Sequence, residues 1–264
     1  FSNFVCDAAT IYNVMHGPDK FDSTAIQSYN NIPLVELKKE SKFKIGVISD
    51  YLHAEGLDKE VKDSIQNALE ILEKNGNTII EASFPFLDVM VPTYYVLTTA
   101  EASSNLSRFD GIRYGSREKS DNLDDTYIKS RSKGFGPEVK RRIMTGTYIL
   151  SSGYYDAYYS KALKVRRLIK NEYNKLFSKL DCLFIPTTAN PPFYLNNRLD
   201  DPMKMYLSDI FTVPCNLIGS PSLNVPGGST KGGLPIGFQI LGDSFKEETL
   251  FHFAHSLSKA KLFE

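Results

Sequence analysis

The sequence predicts an α/β fold, a sheet with helices on its faces. Two patterns carry the prediction. A β-branched run at 43–49, an amphipathic helical stretch after Asp58 and a second apolar run at 77–82 follow one another in the order of a βαβ unit. Two more strand-like runs, 181–187 and 234–241, come later, with helical segments before and after them. The composition, 42% hydrophobic and 23% charged, is that of a chain able to bury a core.

Taken in order, residues 2–16 read as a helix, with Val5, Ala8, Ala9, Tyr12 and Val14 leaning to one face and Gly17-Pro18 ending it. Residues 18–42 are a polar, turn-rich connector, and Phe43 to Ser49 a strand. Asp58 caps the clearest helix, in which Val61, Ile65, Ala68, Leu69 and Leu72 recur at helical spacing before Gly76 stops it. Asn77 to Ala82 is the next strand, 88–107 a helix containing Tyr94-Tyr95, and 108–124 a loop. A helix opens at Gly136-Pro137, with Val139, Ile143, Gly146 and Leu150 as its buried stripe. A long helix is expected from about Tyr154 to Lys179, striped by Tyr158, Ala162, Val165, Ile169, Leu176 and Leu180. After the strand at 181–187, residues 188–201 form a Pro/Asn-rich loop.

Ile210 to Thr230 is the longest stretch without charge. Pro214, Pro221 and Pro226, with Gly219, Gly227 and Gly228, would break a membrane helix repeatedly, so this stretch is expected to be buried, irregular backbone. Leu234 to Leu241 is a strand and Glu247 to Lys259 a closing amphipathic helix.

Several function classes fall away. Thirty-one basic against thirty-one acidic residues leave no net charge, unlike an autonomous nucleic-acid binder. Cys6, Cys182 and Cys215 are scattered and odd in number, which points to a reducing compartment and no zinc ribbon. Of the four histidines only His252 and His255 are close, too few for a metal site, so no metal is expected. The glycine-rich 226–233 run leads into a strand, so it reads as a turn and not a phosphate loop. No Gly-x-Ser-x-Gly elbow is present, and no residues form a complete catalytic set.

Two charged residues stand out by position. On the helix opened by Pro137, Arg142 falls beside the apolar stripe and Arg141 nearly opposite. Arg142 is therefore expected to be partly buried, its guanidinium taken up by a structural ion pair or by a ligand. Asp209 sits among Met205, Tyr206, Leu207, Ile210, Phe211 and Val213, where a carboxylate needs a helix-cap or backbone bond, or a ligand. A pocket holding both would suit a free amino acid, since an Arg fork matches a carboxylate and an Asp an ammonium.

Longer strings carry a resemblance. Ala100 to Leu106, Arg108-Phe109-Asp110-Gly111-Ile112-Arg113-Tyr114-Gly115, Gly134 to Ile143, Ser152 to Tyr159 and Asp201-Pro202-Met203 up to Asp209 occur in order. They resemble the A subunits of the glutamyl-tRNA(Gln)/aspartyl-tRNA(Asn) amidotransferases, within the amidase signature family, over essentially the whole chain. The resemblance implies a mixed central sheet flanked by helices, with residues 1–264 forming the C-terminal part of one amidase signature domain. That family uses a Ser nucleophile, a bridging cis-Ser and a Lys base, which the resemblance places upstream of every residue matched here. No residue of this chain is therefore assigned a catalytic role, and the isolated chain is expected to be inactive, a binding or assembly module. A general amidase of the same family is the rival expectation.

For the full-length protein the resemblance implies glutamine hydrolysis that supplies ammonia to convert misacylated Glu-tRNA(Gln) to Gln-tRNA(Gln). By motif position, Arg142 and Asp209 would hold the glutamine α-carboxylate and α-ammonium, and Tyr94, or its neighbour Tyr95, would lie near the pocket. No cofactor is implied in this chain, since ATP and Mg act at the partner subunit. The implied partners of this amidotransferase chain are a B subunit, which makes most of the tRNA contacts, and a small C subunit, in a heterotrimer. No membrane association is implied, and the location is cytoplasmic or, alternatively, mitochondrial or plastid.

Overall fold

A computed structural model of the chain describes residues 1–26, 31–34, 37, 41–54, 56–193 and 208–259. It divides into two compact units, 1–87 with 170–264, and 88–169. Each is described by itself.

The first unit holds the sheet. Helix α1 (Val5–Met15) precedes strand β1 (Lys44–Ile48), a single turn α2 (Ser49–Leu52), helix α3 (Lys59–Lys74) and strand β2 (Thr78–Ala82). β1 and β2 pair in parallel, so the expected βαβ unit is present. Asp58 caps α3 as expected: its Oδ1 accepts from the backbone N–H of Glu60 (2.8 Å) and Val61 (3.3 Å). Val61, Ile65, Ala68 and Leu72 are the buried face of α3. Strand β3 (Cys182–Pro186) is buried at every position because it is central, with β1 parallel on one side and β5 (Pro235–Leu241) antiparallel on the other. β4 (Ser222–Ser229) pairs with β5 and closes the order β2-β1-β3-β5-β4, a mixed sheet. Helix α8 (Val213–Ile218) precedes β4, and α9 (Glu247–Lys259), the last described element, has the predicted bounds.

One face of the sheet is covered by α3 and α9. Phe184 meets Phe238 edge-on (5.0 Å) and Phe253 (5.9 Å), and Phe253 meets Phe43 (5.2 Å). Each such side chain stabilises the fold by about 1.5–3 kcal/mol through burial.

The charge-free run corrects one expectation, for it is not irregular. Pro214 lies in the first turn of α8, where no backbone N–H is needed. Pro226 lies on β4, an edge strand, beside a register shift between Pro226 and Ser229, where a missing donor is tolerated. The stretch thus folds as helix, turn and strand. Of the glycine-rich segment, Pro226 to Ser229 extend β4 and only the residues after them form the expected turn, closed by Thr230 N–H to Leu234 O at 2.8 Å.

The second unit is helical: α4 (Leu87–Leu106, its first residue in the first unit), α5 (Leu123–Gly134), α6 (Pro137–Ile149), a π-helical turn (Tyr155–Ser160) and the start of α7 (Lys161–Phe177). α5 was not foreseen. Its polar sequence has no apolar stripe, and it buries only Thr126 and Ser130. Asn122 caps it, with Oδ1 accepting from Asp125 N–H at 2.8 Å. The long helix also needs correction: it opens with the π turn, whose wider winding takes Tyr158 off the α7 stripe, leaving it 44% exposed. Ala162, Ile169 and Leu180 of that stripe are buried as expected. Among the described residues no helix is long and apolar enough to cross a membrane.

Candidate functional site

Gly136 and Pro137 start α6 in the expected way, with Pro at the first helical position. Gly146 then sets how α6 meets α4. A Cβ there would fall 1.9 Å from the Thr99 carbonyl oxygen and 2.7 Å from Ser103 Cβ, so only glycine allows this approach. Beside it, one turn on along α4 and one residue on along α6, Ser103 Oγ and Thr147 Oγ1 share a hydrogen bond of 2.9 Å. One turn before, Arg142 Cζ lies 5.6 Å from the centre of the Tyr95 ring, a cation–π distance. The pairs 95/142 and 99/146 lie one turn apart on both helices, so the glycine contact puts Arg142 opposite Tyr95.

Arg142 is half-buried at 36% and Arg141 more open at 56%, in the predicted sense. Glu138 joins both: one carboxylate oxygen accepts from Arg142 Nε at 3.0 Å and the other pairs with Arg141 Nη1. An ion pair, one of the two expected fates of Arg142, is therefore realised. Glu138 was not singled out from sequence, although an acid four residues before an arginine on a helix is its signal. Tyr94 does not lie under Arg142; it meets the Tyr95 ring edge-on at 5.2 Å. Of the two tyrosines, Tyr95 is thus the one that faces the guanidinium, with Tyr94 packed against its ring.

Asp209 lies in the first unit, half-buried, in the turn leading to α8. Its backbone carbonyl accepts from Thr212 N–H (2.9 Å), Val213 N–H (3.0 Å) and Thr212 Oγ1 (3.1 Å). Met205, Tyr206 and Leu207, named beside it from sequence, lie outside the described residues, as do Asp201 to Met203. On its other side Phe211 is fully buried. The Phe211 carbonyl accepts from Gln239 Nε2 of β5 at 2.7 Å, and its ring meets Tyr51 edge-on at 5.3 Å. Tyr51 and Tyr173 share a buried hydroxyl hydrogen bond of 2.7 Å. Burial pushes the Tyr51 and Tyr173 hydroxyls well up, so this clasp stays neutral. The Asp209 turn is therefore tied to the sheet through Phe211.

Cys182 is enclosed in β3, and burial pushes its thiol well up, which removes it as a nucleophile. Cys6 Sγ lies 3.8 Å from His255 Nδ1, where α1 and α9 meet.

The chain belongs to the Amidase family, whose model matches residues 1–251. It is similar to the glutamyl-tRNA(Gln) amidotransferase A subunit of Koribacter versatilis, 48% identical over 98% of this chain and 54% of that protein. It is also similar to the protein of the same name from Thermodesulfovibrio yellowstonii, 46% identical over 97% of this chain and 53% of that one. The chain thus spans about half the length of these relatives. Among solved structures, the Thermotoga maritima glutamyl-tRNA(Gln) amidotransferase A subunit matches with TM-score 0.76 at 33% identity, over 98% of this chain and 51% of that one. A bacterial aryl acylamidase of the amidase signature family matches with TM-score 0.73 at 18% identity, a likeness of fold alone, over 99% of this chain and 52% of that one.

Proposed function

We propose that this chain is the glutamine-holding part of the A subunit of a tRNA-dependent amidotransferase. The observation that carries the reading is identity of 44–48% to proteins named as glutamyl-tRNA(Gln) amidotransferase A subunits over nearly the whole chain. Arg142 receives the glutamine α-carboxylate, Asp209 the α-ammonium, and Tyr94 lies at the edge of the pocket. The half-burial of Arg142 supports its part, because a guanidinium shielded from water binds a carboxylate more strongly than an open one. The aromatic face of Tyr95 and the Glu138 carboxylate restrict how the fork can turn.

In this reading the Ser–cis-Ser–Lys set of the full-length protein attacks the side-chain amide, with Lys acting as base through the second Ser. Ammonia then passes to the B subunit, where ATP and Mg activate the misacylated glutamyl end of the tRNA. A small C subunit completes the assembly, and both units of this chain belong to one amidase domain in the cytoplasm or an organelle.

The test is steady-state glutamine hydrolysis by the full-length protein in its complex. Arg142→Ala raises KM for glutamine roughly 10–100-fold, the loss of one charged hydrogen-bonded contact, with a smaller change in kcat. An unchanged KM refutes the assignment. The 264-residue polypeptide alone is expected to release no ammonia from glutamine; release above background would show that it carries its own nucleophile.

A further inference from the structure

A cavity of about 480 Å³ opens within the second unit, between the loop at 108–116 and α5. Its volume is in the range of small-molecule sites. Arg108, Phe109, Asp110, Tyr114, Arg131 and Phe135 are among its lining residues.

Half of these groups build the loop. Arg131 Nη1 donates to the carbonyls of Leu106 (3.0 Å) and Phe109 (2.6 Å), and its guanidinium lies over the Phe135 ring at 5.0 Å. Asp110 Oδ1 accepts from Ile112 N–H at 2.8 Å, and Ser130 Oγ accepts from Glu118 N–H at 3.0 Å. Gly111 turns with φ +74°, and a Cβ there would come within 2.9 Å of the Ser116 carbonyl oxygen. The loop is therefore held against α5 before any ligand arrives.

The other half has no visible structural task. Phe109 is 62% exposed and Tyr114 88% exposed, large apolar rings left in water at the cavity mouth. Among the described residues no ion pair engages Arg108. From 108 to 117 the loop carries Arg108, Arg113 and Arg117 against one acid, Asp110. Although the chain as a whole is neutral, this loop is basic and aromatic.

We propose that the cavity binds a nucleotide, with the base on the faces of Tyr114 and Phe109 and the phosphate on Arg108. A bare anion would need only the guanidinium, and an apolar ligand would leave it unused. A ligand that is both flat and anionic uses every uncommitted group. Free nucleotides and unpaired nucleotides of an RNA strand share this chemistry. The inference does not depend on the glutamine site, since it uses none of its residues.

The test measures binding of 5′-AMP and inorganic phosphate by calorimetry, and of a labelled four-nucleotide single-stranded RNA by anisotropy, to the full-length protein. AMP is expected to bind at least tenfold tighter than phosphate. Arg108→Ala and Tyr114→Leu are each expected to weaken AMP and RNA about tenfold, while Tyr114→Phe keeps binding. Arg108 and Tyr114 are exposed, so unchanged thermal unfolding serves as the control for folding. RNA binding at least tenfold tighter than AMP identifies a strand as the source, and equal affinities a free nucleotide. The proposal is overturned if neither binds at millimolar concentration, if phosphate matches AMP, or if Arg108→Ala leaves both affinities unchanged.

Discussion

The two units are built on different physics. The first surrounds a central strand buried at every residue and covers one sheet face with two amphipathic helices. The second has no strand among the described residues. Its helices hold together through a glycine contact, side-chain caps and hydroxyl bonds, and they leave Ile128, Met144, Tyr148, Tyr155 and Tyr158 exposed. Asp209 stands in the first setting and Arg142 in the second. One candidate ligand-binding group is thus fixed by core burial, the other by close backbone approach.

Single substitutions can break this contrast. Phe184→Ala, in the first unit, removes a ring that meets two others and should cost about 3–5 kcal/mol in chemical denaturation. In the second unit Gly146→Ala forces α6 away from the Thr99 carbonyl and should cost about 1–3 kcal/mol. It should also raise KM for glutamine, because Arg142 sits one turn away. A Gly146→Ala variant with wild-type stability and KM would mean the helix contact does not position Arg142. The caps provide a matched pair: Asp58→Ala in the first unit and Asn122→Ala in the second should each cost about 1 kcal/mol. Amide exchange should rise in α3 for one variant and in α5 for the other, and a change spread over both units would blur the division.

The smallest effect concerns alkaline pH. A hydrogen bond to Tyr154, then desolvation, then the neighbouring tyrosine hydroxyls push Tyr148 up from 10.0 to about 12. The folded value lies above the unfolded one, so the neutral hydroxyl stabilises the fold below pH 10, and that contribution is lost as pH rises towards 12. Tyr148→Phe should remove one tyrosine that ionises late in an absorbance titration. If the late-ionising population is unchanged, the exposed Tyr148–Tyr154 pair, with ring centroids 4.2 Å apart, is not formed in solution.

Legibility followed the same division. The cap at Asp58, the stripe of α3, the buried run of β3 and the bounds of α9 were readable because a sheet-covering helix and a central strand impose periods of about 3.6 and 2 on their residues. The second unit imposes weaker patterns. α5 buries hydroxyls instead of a stripe, so no period marks it. α4 is apolar on several faces, with Met90, Val91, Thr93, Leu97, Thr99 and Ala100 buried, so no single stripe shows from sequence which of its tyrosines faces α6.

The sequence by itself determined the α/β class, the βαβ unit and the family, and it set Arg142 on the inner side and Arg141 on the outer side of one helix. Those depend on local period and on long matched strings, both of which are properties of the chain. Tertiary structure alone decided that Tyr95 faces Arg142, that Phe211 ties the Asp209 turn to the sheet, and that the charge-free run becomes a helix and an edge strand. Each of these requires a partner distant in sequence or a place at the sheet edge, and neither exists until the chain has folded.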